Sequence, residues 1–309
     1  MNQRNTMIHS EFEEARGRVE AFLEALVGGD HAVIDLPENL NEAMNYSLLA
    51  GGKRLRPVVV LLCCGACGGD REKALAPAAA LEMIHCFSLI HDDLPAMDDD
   101  DLRRGQATNH KKFGEAMAIL AGDGLATLPY LVIGRSELLS EIQKARMMEE
   151  LAEGTMRMIA GQVYDTMGGF ENGLSPEECL EITHRNKTGA LIRCGCRLGV
   201  IAAMDDGNQD AVEGMMEALT KYGEAIGLMF QMVDDVLDET QTTEHLGKGS
   251  GKDAEAGKLT YPVVYGLERS RELIDEMAGR ANGALDGLGT GEAVGALREL
   301  VSYLVTRTK

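Results

Sequence analysis

The chain has 309 residues, of which 50 are acidic and 30 are basic, and its formal net charge is −20. Apolar residues make up 45% of the chain, which is enough for a large buried core. So negative a charge argues against nucleic-acid binding and against docking on an anionic membrane, because both partners attract basic surfaces.

Helical periodicity recurs along the chain, and no convincing run shows the alternation of a strand. A helix begins after Ser175, because Ser175 and Glu178 form a capping box around Pro176 at the first helical position. The polar segment 241–257, rich in glycine and lysine, predicts a loop. The predicted helices cover 41–49, a segment that begins at 57, 75–94, 115–139, 141–167, 176–204 and 210–238, and more follow to the C-terminus. This pattern predicts a single all-α domain.

The N-terminal segment and the cysteines indicate the compartment. The first eighteen residues contain no apolar core and carry early acidic residues, unlike a secretory signal. No stretch approaches the roughly 18 consecutive apolar residues of a membrane helix, and the longest candidate is 57–67. Seven cysteines form an odd count without the spacing of a disulfide framework, which favours a reducing compartment. We therefore expect a cytoplasmic protein without membrane insertion.

A first acidic cluster ends the predicted helix 75–94. Six of the ten residues at 92–101 are aspartates. A run of aspartates is usually a solvated surface, but here the preceding helix is apolar on most sides. His85, Ser88 and Asp92 share one stripe of that helix. A helix that is apolar on its other faces is buried, so this stripe is expected to face an interior cavity.

A second acidic cluster at 234–238 repeats this design. The polar residues between 225 and 237 are Gln231, Asp234 and Asp235, and Gln231, Asp234 and Asp238 share one helical stripe. Crowded carboxylates repel by roughly 4 kcal/mol per close pair at an effective dielectric near 20, so they take up protons or recruit cations. Oxygen ligands that leave positions for water and phosphate suit Mg²⁺. The two clusters therefore predict a magnesium site.

Basic residues are grouped beside the acidic clusters although the chain is strongly acidic overall. Guanidinium groups suit the oxygens of a diphosphate, and a glycine-led loop that opens a helix commonly binds anions. Together these groups predict a pocket for two polyanions, one bridged by metal and one held by cations alone. The residues concerned are Arg103, Arg104, Lys53, Arg56, Lys248, Lys252 and Lys258.

From about residue 41 to the C-terminus, the chain resembles the trans-isoprenyl diphosphate synthases, or polyprenyl synthetases. Four residues separate the pair Asp92-Asp93 from Asp98, a spacing similar to that of bacterial farnesyl and plant geranylgeranyl synthases. The resemblance is closest to the bacterial farnesyl diphosphate synthases, or geranyltranstransferases. The matching motifs, in family order, are GGKRLRP at 51–57, DDLPAMDDDDLRRG at 92–105, GQVYD at 161–165, NKTGA at 186–190, DDVLD at 234–238 and KLTYP at 258–262.

The resemblance implies a large helical bundle of the isoprenoid synthase type with a central active-site cavity. It implies one polyprenyl synthetase domain over 1–309, with about 1–10 as a disordered tail, and a homodimer. It also implies a Mg²⁺-dependent ionisation, condensation and elimination that joins isopentenyl diphosphate to dimethylallyl or geranyl diphosphate. Three Mg²⁺ ions would act in each active site, and Mn²⁺ could substitute.

Site roles follow from the resemblance, residue by residue. Asp92, Asp98 and Asp234 would ligate Mg²⁺, with Asp93 and Asp238 in support. The allylic diphosphate would be bound by Arg103, Lys187, Gln231, Lys248 and Lys258. The diphosphate of isopentenyl diphosphate would be bound by Lys53, Arg56, His85 and Arg104. The Thr188 hydroxyl would stabilise positive charge on the allylic group.

Product length depends in this family on the residues four and five positions before the first aspartate, which are Ser88 and Phe87. An aromatic residue at the fifth position resembles synthases that stop at farnesyl diphosphate, the product expected here. However, a helical wheel places Phe87 well away from Asp92 and small Ser88 almost beneath it. Geranylgeranyl diphosphate is the alternative product.

Two other functions remain open. A terpene cyclase shares the helical fold and an aspartate-rich motif, but it has no need of a second diphosphate site such as Lys53 and Arg56. A non-catalytic partner subunit should have lost at least one aspartate motif, and both motifs are intact here.

Overall fold

The computed structural model describes residues 3–27, 34–204, 209–240 and 259–307. Within these ranges the protein consists almost entirely of helices, as the all-α prediction requires. The α-helices are α1 (Gln3–Val27), α2 (Glu38–Leu48), α3 (Leu55–Ala66), α4 (Leu75–Asp92), α5 (Asn109–Phe113), α6 (Glu115–Gly134), α7 (Glu141–Met167), α8 (Pro176–Lys187), α9 (Gly189–Ala203), α10 (Gln209–Thr240), α11 (Tyr261–Tyr265), α12 (Leu267–Ala284) and α13 (Glu292–Thr306).

Two short strands, β1 (Leu102–Arg103) and β2 (Gln106–Ala107), form an antiparallel ribbon that the sequence did not predict. The turn between them places Arg104 and Gly105 at positive φ, 53° and 77°. Two residues per strand are too few to show the alternation on which strand prediction rests. The ribbon folds the segment after the first acidic cluster back on itself.

The predicted capping box at the start of α8 is confirmed. The Ser175 hydroxyl accepts from the backbone N–H of Glu178, and the Glu178 carboxylate accepts from the backbone N–H of Ser175 at 2.8 Å. Each bond satisfies a backbone donor that the first helical turn leaves unpaired. The same arrangement joins Ser140 and Gln143 at the start of α7. Local sequence therefore determines where these two helices begin.

Other boundaries differ from the predictions. The predicted helix 176–204 is interrupted at Thr188, which separates α8 from α9. The predicted helix 115–139 ends earlier, at Gly134. The loop predicted at 241–257 lies outside the described residues.

The core forms around α4 and α9, which are buried along most of their length. Helix α4 packs against α3, α6 and α9, and α9 packs in turn against α3, α7 and α10. Small residues such as Ala78, Ala79 and Ala80 on α4 are fully or almost fully buried and permit close helix approach. This packing places the C-terminal end of α4 among the helices that carry the other predicted site residues.

Helix α6 corrects the membrane prediction in one respect. It is the single described helix that is long and apolar enough, by length and composition, to cross a membrane, whereas the longest stretch predicted from the sequence was 57–67. In this protein α6 packs along α4, with Ala118, Ala121 and Leu125 completely buried. Core helices of globular proteins can have the same composition, so α6 is interpreted here as a core helix.

Candidate active site

The first acidic cluster forms a tight turn at the C-terminal end of α4. The backbone N–H of Asp98 donates to the Asp92 carbonyl at 2.8 Å, and that of Asp99 donates to the Leu94 carbonyl at 3.2 Å. Burial raises the pKa of Asp92 to about 6; Lys187 opposes this rise, and the carboxylate of Asp98 adds to it. Asp92 and Asp98 are therefore brought together, and Lys187 on α8 lies close enough to act on Asp92.

Asp93, the second aspartate of this motif, binds the side chain of Arg103. It is almost completely buried, and its two oxygens accept from Arg103 Nε at 2.6 and 2.8 Å. The Nη2 of Arg103 lies 2.5 Å from the same carboxylate and 3.6 Å from Asp100. Burial lowers the pKa of Arg103, but Asp93, with Asp100 and Asp92, more than offsets this and the pKa is raised. Asp93 thus holds the Arg103 guanidinium beside the acidic turn.

The loop that precedes α3 brings basic residues to the same region. Gly51 and Gly52 have φ of 77° and 133°, a conformation that side chains rarely tolerate. A Cβ on Gly52 would lie 2.8 Å from the guanidinium carbon of Arg104. Arg104 donates to the Gly51 carbonyl, so the β-ribbon and the glycine loop meet through this side chain.

Arg54 in this loop has a structural role that the sequence did not reveal. Its Nη1 donates to Glu82 at 2.7 Å and its Nη2 donates to the Leu48 carbonyl at 2.8 Å, and both Arg54 and Glu82 are buried. Because a buried carboxylate and guanidinium compensate each other's charge, this pair fixes the loop onto α4. Lys53 on one side and Arg56 on the other remain for a ligand.

Arg56 and His85 form a second part of the site. Arg56 Nη1 lies 3.3 Å from His85 Nε2, and burial together with the Arg56 and Arg104 guanidinium groups holds the pKa of His85 well below its ordinary value. A guanidinium group can only donate, so Nε2 accepts and the His85 proton is assigned to Nδ1. The buried Arg56 Nε has no hydrogen-bond partner among the described residues, which suits an anion.

The second acidic cluster lies on α10, where Asp234 is near basic residues from other parts of the fold. Burial raises the pKa of Asp234, and Arg307, Lys53 and Arg56 oppose this rise. Arg307 Nη1 lies 3.3 Å from Asp234 Oδ1. Asp238 lies one turn further along α10 and is half-buried. Asp234 is thus brought to the start of α3.

Gln231 and Thr188 join the cluster through hydrogen bonds. The Thr188 hydroxyl donates to Gln231 Oε1 at 2.9 Å, and Gln231 Nε2 donates to Asp235 Oδ1 at 2.8 Å. Lys187, directly before the break at Thr188, forms an ion pair with Asp165 at 2.6 Å. The sequence did not predict Asp165 as the partner of Lys187 or Arg307 as the partner of Asp234. Asp165 nevertheless belongs to the GQVYD motif.

The acidic residues fit magnesium only in combination with a phosphate ligand. No group of three or more His, Cys, Asp or Glu side chains in the described part of the chain is arranged to hold a metal ion. Mg²⁺ is commonly bound by one or two carboxylates together with substrate phosphates and water. Asp92 and Asp98 on one element and Asp234 on another match that donor set. Lys248 and Lys258 lie outside the described residues.

Phe87 and Ser88 lie on the α4 turn before Asp92. The Phe87 ring is buried and meets the His91 ring edge-on, with 5.7 Å between ring centroids. The Ser88 hydroxyl donates to the His85 carbonyl one turn back at 2.9 Å. Both side chains therefore lie on α4 about one turn before the acidic turn.

Comparisons with known proteins support the resemblance over most of the chain. A family model described as polyprenyl synthetase matches residues 37–287. Geranylgeranyl pyrophosphate synthase 11, a chloroplastic protein of Arabidopsis thaliana, is 46% identical over 279 residues, which cover 88% of this chain and 75% of that protein.

Solved structures agree with the sequence relatives. The crystal structure of a geranyltransferase from Legionella pneumophila is 34% identical, covers 99% of both chains and superposes with a TM-score of 0.84. A geranylgeranyl pyrophosphate synthetase from Pyrococcus horikoshii is 30% identical, covers 98% of this chain and 99% of its own, and has a TM-score of 0.83.

Proposed function

The chain belongs to the polyprenyl synthetase family and is a chain-elongating prenyltransferase, and from this premise we propose its substrates, metal and product. The substrates are isopentenyl diphosphate and the allylic dimethylallyl, geranyl and farnesyl diphosphates, and the product is geranylgeranyl diphosphate. The reaction depends on Mg²⁺. The observation that carries the proposal is the presence of two charged groups: the carboxylates at the C-terminal end of α4 with Arg103 of β1, and Arg56 at the start of α3 with His85 of α4.

Asp92, Asp98 and Asp234 would hold Mg²⁺ with the allylic diphosphate. When bound, the metal would neutralise the negative charge that develops on the diphosphate as its bond to the allylic carbon breaks. Arg103, Lys187 and the amide of Gln231 would donate to the diphosphate oxygens, as would Lys248 and Lys258. The electron pair leaves with the diphosphate, and an allylic cation remains in the cavity.

Lys53, Arg56, His85 and Arg104 would hold the diphosphate of isopentenyl diphosphate. The double bond of isopentenyl diphosphate attacks the cation and forms the new carbon–carbon bond, and transfer of a proton to the departed diphosphate then restores a double bond. Neutral His85 would donate through Nδ1–H and orient the Arg56 guanidinium through Nε2. Buried apolar residues of α4 and α10 exclude the water that would otherwise capture the cation.

Geranylgeranyl diphosphate is proposed as the product because the plant relative of that name is 46% identical to this chain. Farnesyl diphosphate is the second candidate, and one observation favours it. Phe87, five residues before Asp92, places a buried aromatic ring below the acidic turn. A ring in that position would limit the length of a chain that grows downward from Asp92.

The catalytic role of the two acidic clusters can be tested directly. Asp92→Ala and Asp234→Ala are expected to abolish turnover of isopentenyl diphosphate with any allylic primer, while the far-ultraviolet circular dichroism remains that of the wild type. Asp101→Ala is the matched control, because Asp101 is exposed and pairs with Lys111. Wild-type turnover by Asp92→Ala or Asp234→Ala would contradict the proposal.

A second copy of this chain is the proposed partner. Helix α7 exposes Met156, Ile159 and Val163 on one stripe, and the neighbouring α6 exposes Ile119 and Leu120. Large apolar side chains exposed along adjacent helices favour burial against another protein surface. The cytoplasmic location stays a prediction.

A further inference from the structure

Asp235, the second aspartate of the motif at 234–238, differs from its neighbour in burial and partners. The Asp235 side chain is 2% exposed, whereas that of Asp234 is 39% exposed. Asp235 Oδ1 accepts from Gln231 Nε2 at 2.8 Å, and Oδ2 accepts from the backbone N–H of Tyr261 at 3.0 Å. Both carboxylate oxygens are therefore committed to protein donors.

These bonds determine which way the Gln231 amide faces. A carboxylate can only accept, so Gln231 must turn its NH₂ group toward Asp235. The Gln231 oxygen is then left to accept from the Thr188 hydroxyl, as the 2.9 Å bond requires. An amide held at both ends cannot exchange its oxygen and nitrogen. One of the two Nε2–H donors of Gln231 remains for a ligand.

The Asp235 carboxylate also links α11 to α10, through its hydrogen bond with the Tyr261 backbone. Tyr261 is the first residue of α11, and its ring stacks on His184 at 5.5 Å. His184 Nε2 lies 3.7 Å from Asp235 Oδ2. Burial lowers the pKa of His184 to about 4, so its ring is neutral at neutral pH. Asp235 is thus surrounded by groups from α8, α10 and α11 that hold it in one position.

We propose that Asp235 is a positioning residue: it sets the orientation of the Gln231 amide, so that the free Nε2–H donates to an oxygen of the allylic diphosphate. The inference rests on the proposed function, in which Gln231 binds that diphosphate. It divides the roles within the motif, because Asp234 would bind the metal whereas Asp235 acts through Gln231. Asp93 offers a parallel, since it holds Arg103 in the first motif.

Asp235→Asn tests this inference with a minimal change in shape. The Tyr261 N–H can only donate, so the new asparagine turns its oxygen to Tyr261 and its NH₂ group to Gln231. Gln231 must then reverse its amide and present its oxygen. Because a hydrogen bond to a charged ligand is lost, affinity for a non-ionising thio analogue of geranyl diphosphate with Mg²⁺ should fall about ten- to a hundredfold. Calorimetry measures this affinity.

A double-mutant cycle separates positioning from a general loss of structure. Gln231→Leu removes the donor itself, so Asp235→Asn in that background should weaken analogue binding no further. The thermal midpoints of the three variants show whether each remains folded. If Asp235→Asn does not fold, Asp235→Ser replaces it in the same cycle, because serine is too short to reach Gln231 and so also removes the acceptor that orients the amide.

The outcomes distinguish this inference from the proposed function. Coinciding affinities of Gln231→Leu and the double variant would support Asp235 acting through Gln231. Additive losses, or an Asp235→Asn variant with wild-type affinity, would overturn the positioning role alone. A wild-type protein that binds no analogue and turns over no substrate would overturn the proposed function and, with it, this inference.

Discussion

Burial of the ionised Asp92 carboxylate lowers the stability of the protein when no cation is bound to it. Burial raises its pKa from 3.8 to about 6, so the folded state holds its proton more tightly than the unfolded chain does. Stability that depends on the neutral carboxyl is complete below pH 3.8 and is lost as the pH rises to about 6. At neutral pH, therefore, the ionised carboxylate destabilises the fold until a cation compensates it.

Asp92→Asn is expected to stabilise the metal-free protein, because the amide carries no charge. The gain in the free energy of unfolding should be about 3 kcal/mol at pH 8 and about half of that at pH 5. Urea unfolding with a metal chelator at both pH values measures it. Exposed Asp101→Asn serves as the control. A variant less stable than the wild type at pH 8 would contradict the proposed cost of the Asp92 charge.

At the scale of single residues, the sequence predicted on which helix side chains lie better than it predicted their partners. The stripe of His85, Ser88 and Asp92 is present on α4. Asp93 and Arg103 were both expected to serve the ligand, yet they bind each other. A pairing across ten residues depends on the turn and ribbon between them, which the helical period does not describe.

Helices α7 and α8 approach each other closely where Gly161 of α7 faces the backbone of Lys187, the last residue of α8. A Cβ added to Gly161 on α7 would lie 2.1 Å from the Lys187 nitrogen and 2.5 Å from its Cα. These are backbone atoms, so no side chain can move aside. The glycine of the GQVYD motif is therefore required by the close approach of the two helices.

Gly161→Ala should displace the last turn of α8 and cost about 3 kcal/mol of stability. Affinity for the allylic analogue should fall as well, because Lys187 moves with that turn. Thermal unfolding and calorimetry measure the two effects. Gly279→Ala on α12 is the control: nothing lies within 4 Å of its added Cβ, and alanine should stabilise that helix by about 0.5–1 kcal/mol. Equal effects at the two positions would contradict the proposed contact.

The last turn of α13 also reaches the site, through Arg307 and Asp234. Arg307→Ala removes a cation that pairs with Asp234, so the substrate-free protein should bind Mn²⁺ about two- to fivefold more tightly. Electron paramagnetic resonance of free Mn²⁺ measures that affinity. Arg269→Ala, an exposed arginine paired with Glu272 and Glu276, is the control. Unchanged or weaker Mn²⁺ binding by Arg307→Ala would show that Arg307 does not compete with the metal.

The break between α8 and α9 illustrates what a local pattern cannot show at the element scale. The capping residues predicted the start of α8, but Gly189 alone does not predict a break after Thr188, because a single glycine costs a helix only about 1 kcal/mol. The break coincides with contacts from α10: Thr188 donates to Gln231, and a Cβ on Gly227 would lie 2.7 Å from the Gly189 Cα. Tertiary packing therefore overrides helix propensity at this position.

The proposed dimer makes a prediction for the whole molecule. Met156→Glu combined with Ile159→Glu places charges on the exposed stripe of α7, so the dimer should dissociate because burying a carboxylate is costly. Sedimentation equilibrium measures the mass. Tyr303→Glu on α13 adds a charge at another exposed position and should leave the dimer intact. A dimer that persists in the α7 variant would exclude this stripe as the interface.

For the molecule as a whole, periodicity and capping could predict an all-α chain and the order of its main helices. They could not predict that the start of α3, the ends of α4 and α8 and the middle of α10 converge. That expectation came from the family resemblance, because helix-to-helix packing depends on residues far apart in the sequence. The apolar length of α6 could be read from the sequence, which predicted a helix there, and only its burial against α4 is a tertiary property.

Sizing of the reaction products tests the central claim most directly. The purified protein with Mg²⁺ and labelled isopentenyl diphosphate is offered dimethylallyl, geranyl or farnesyl diphosphate in turn. The proposal predicts that all three primers are extended and that a twenty-carbon product accumulates. Accumulation at fifteen carbons with farnesyl diphosphate unused would instead establish the second candidate product, with Phe87 as the limit. No condensation with any primer would contradict prenyl diphosphate synthesis by this protein.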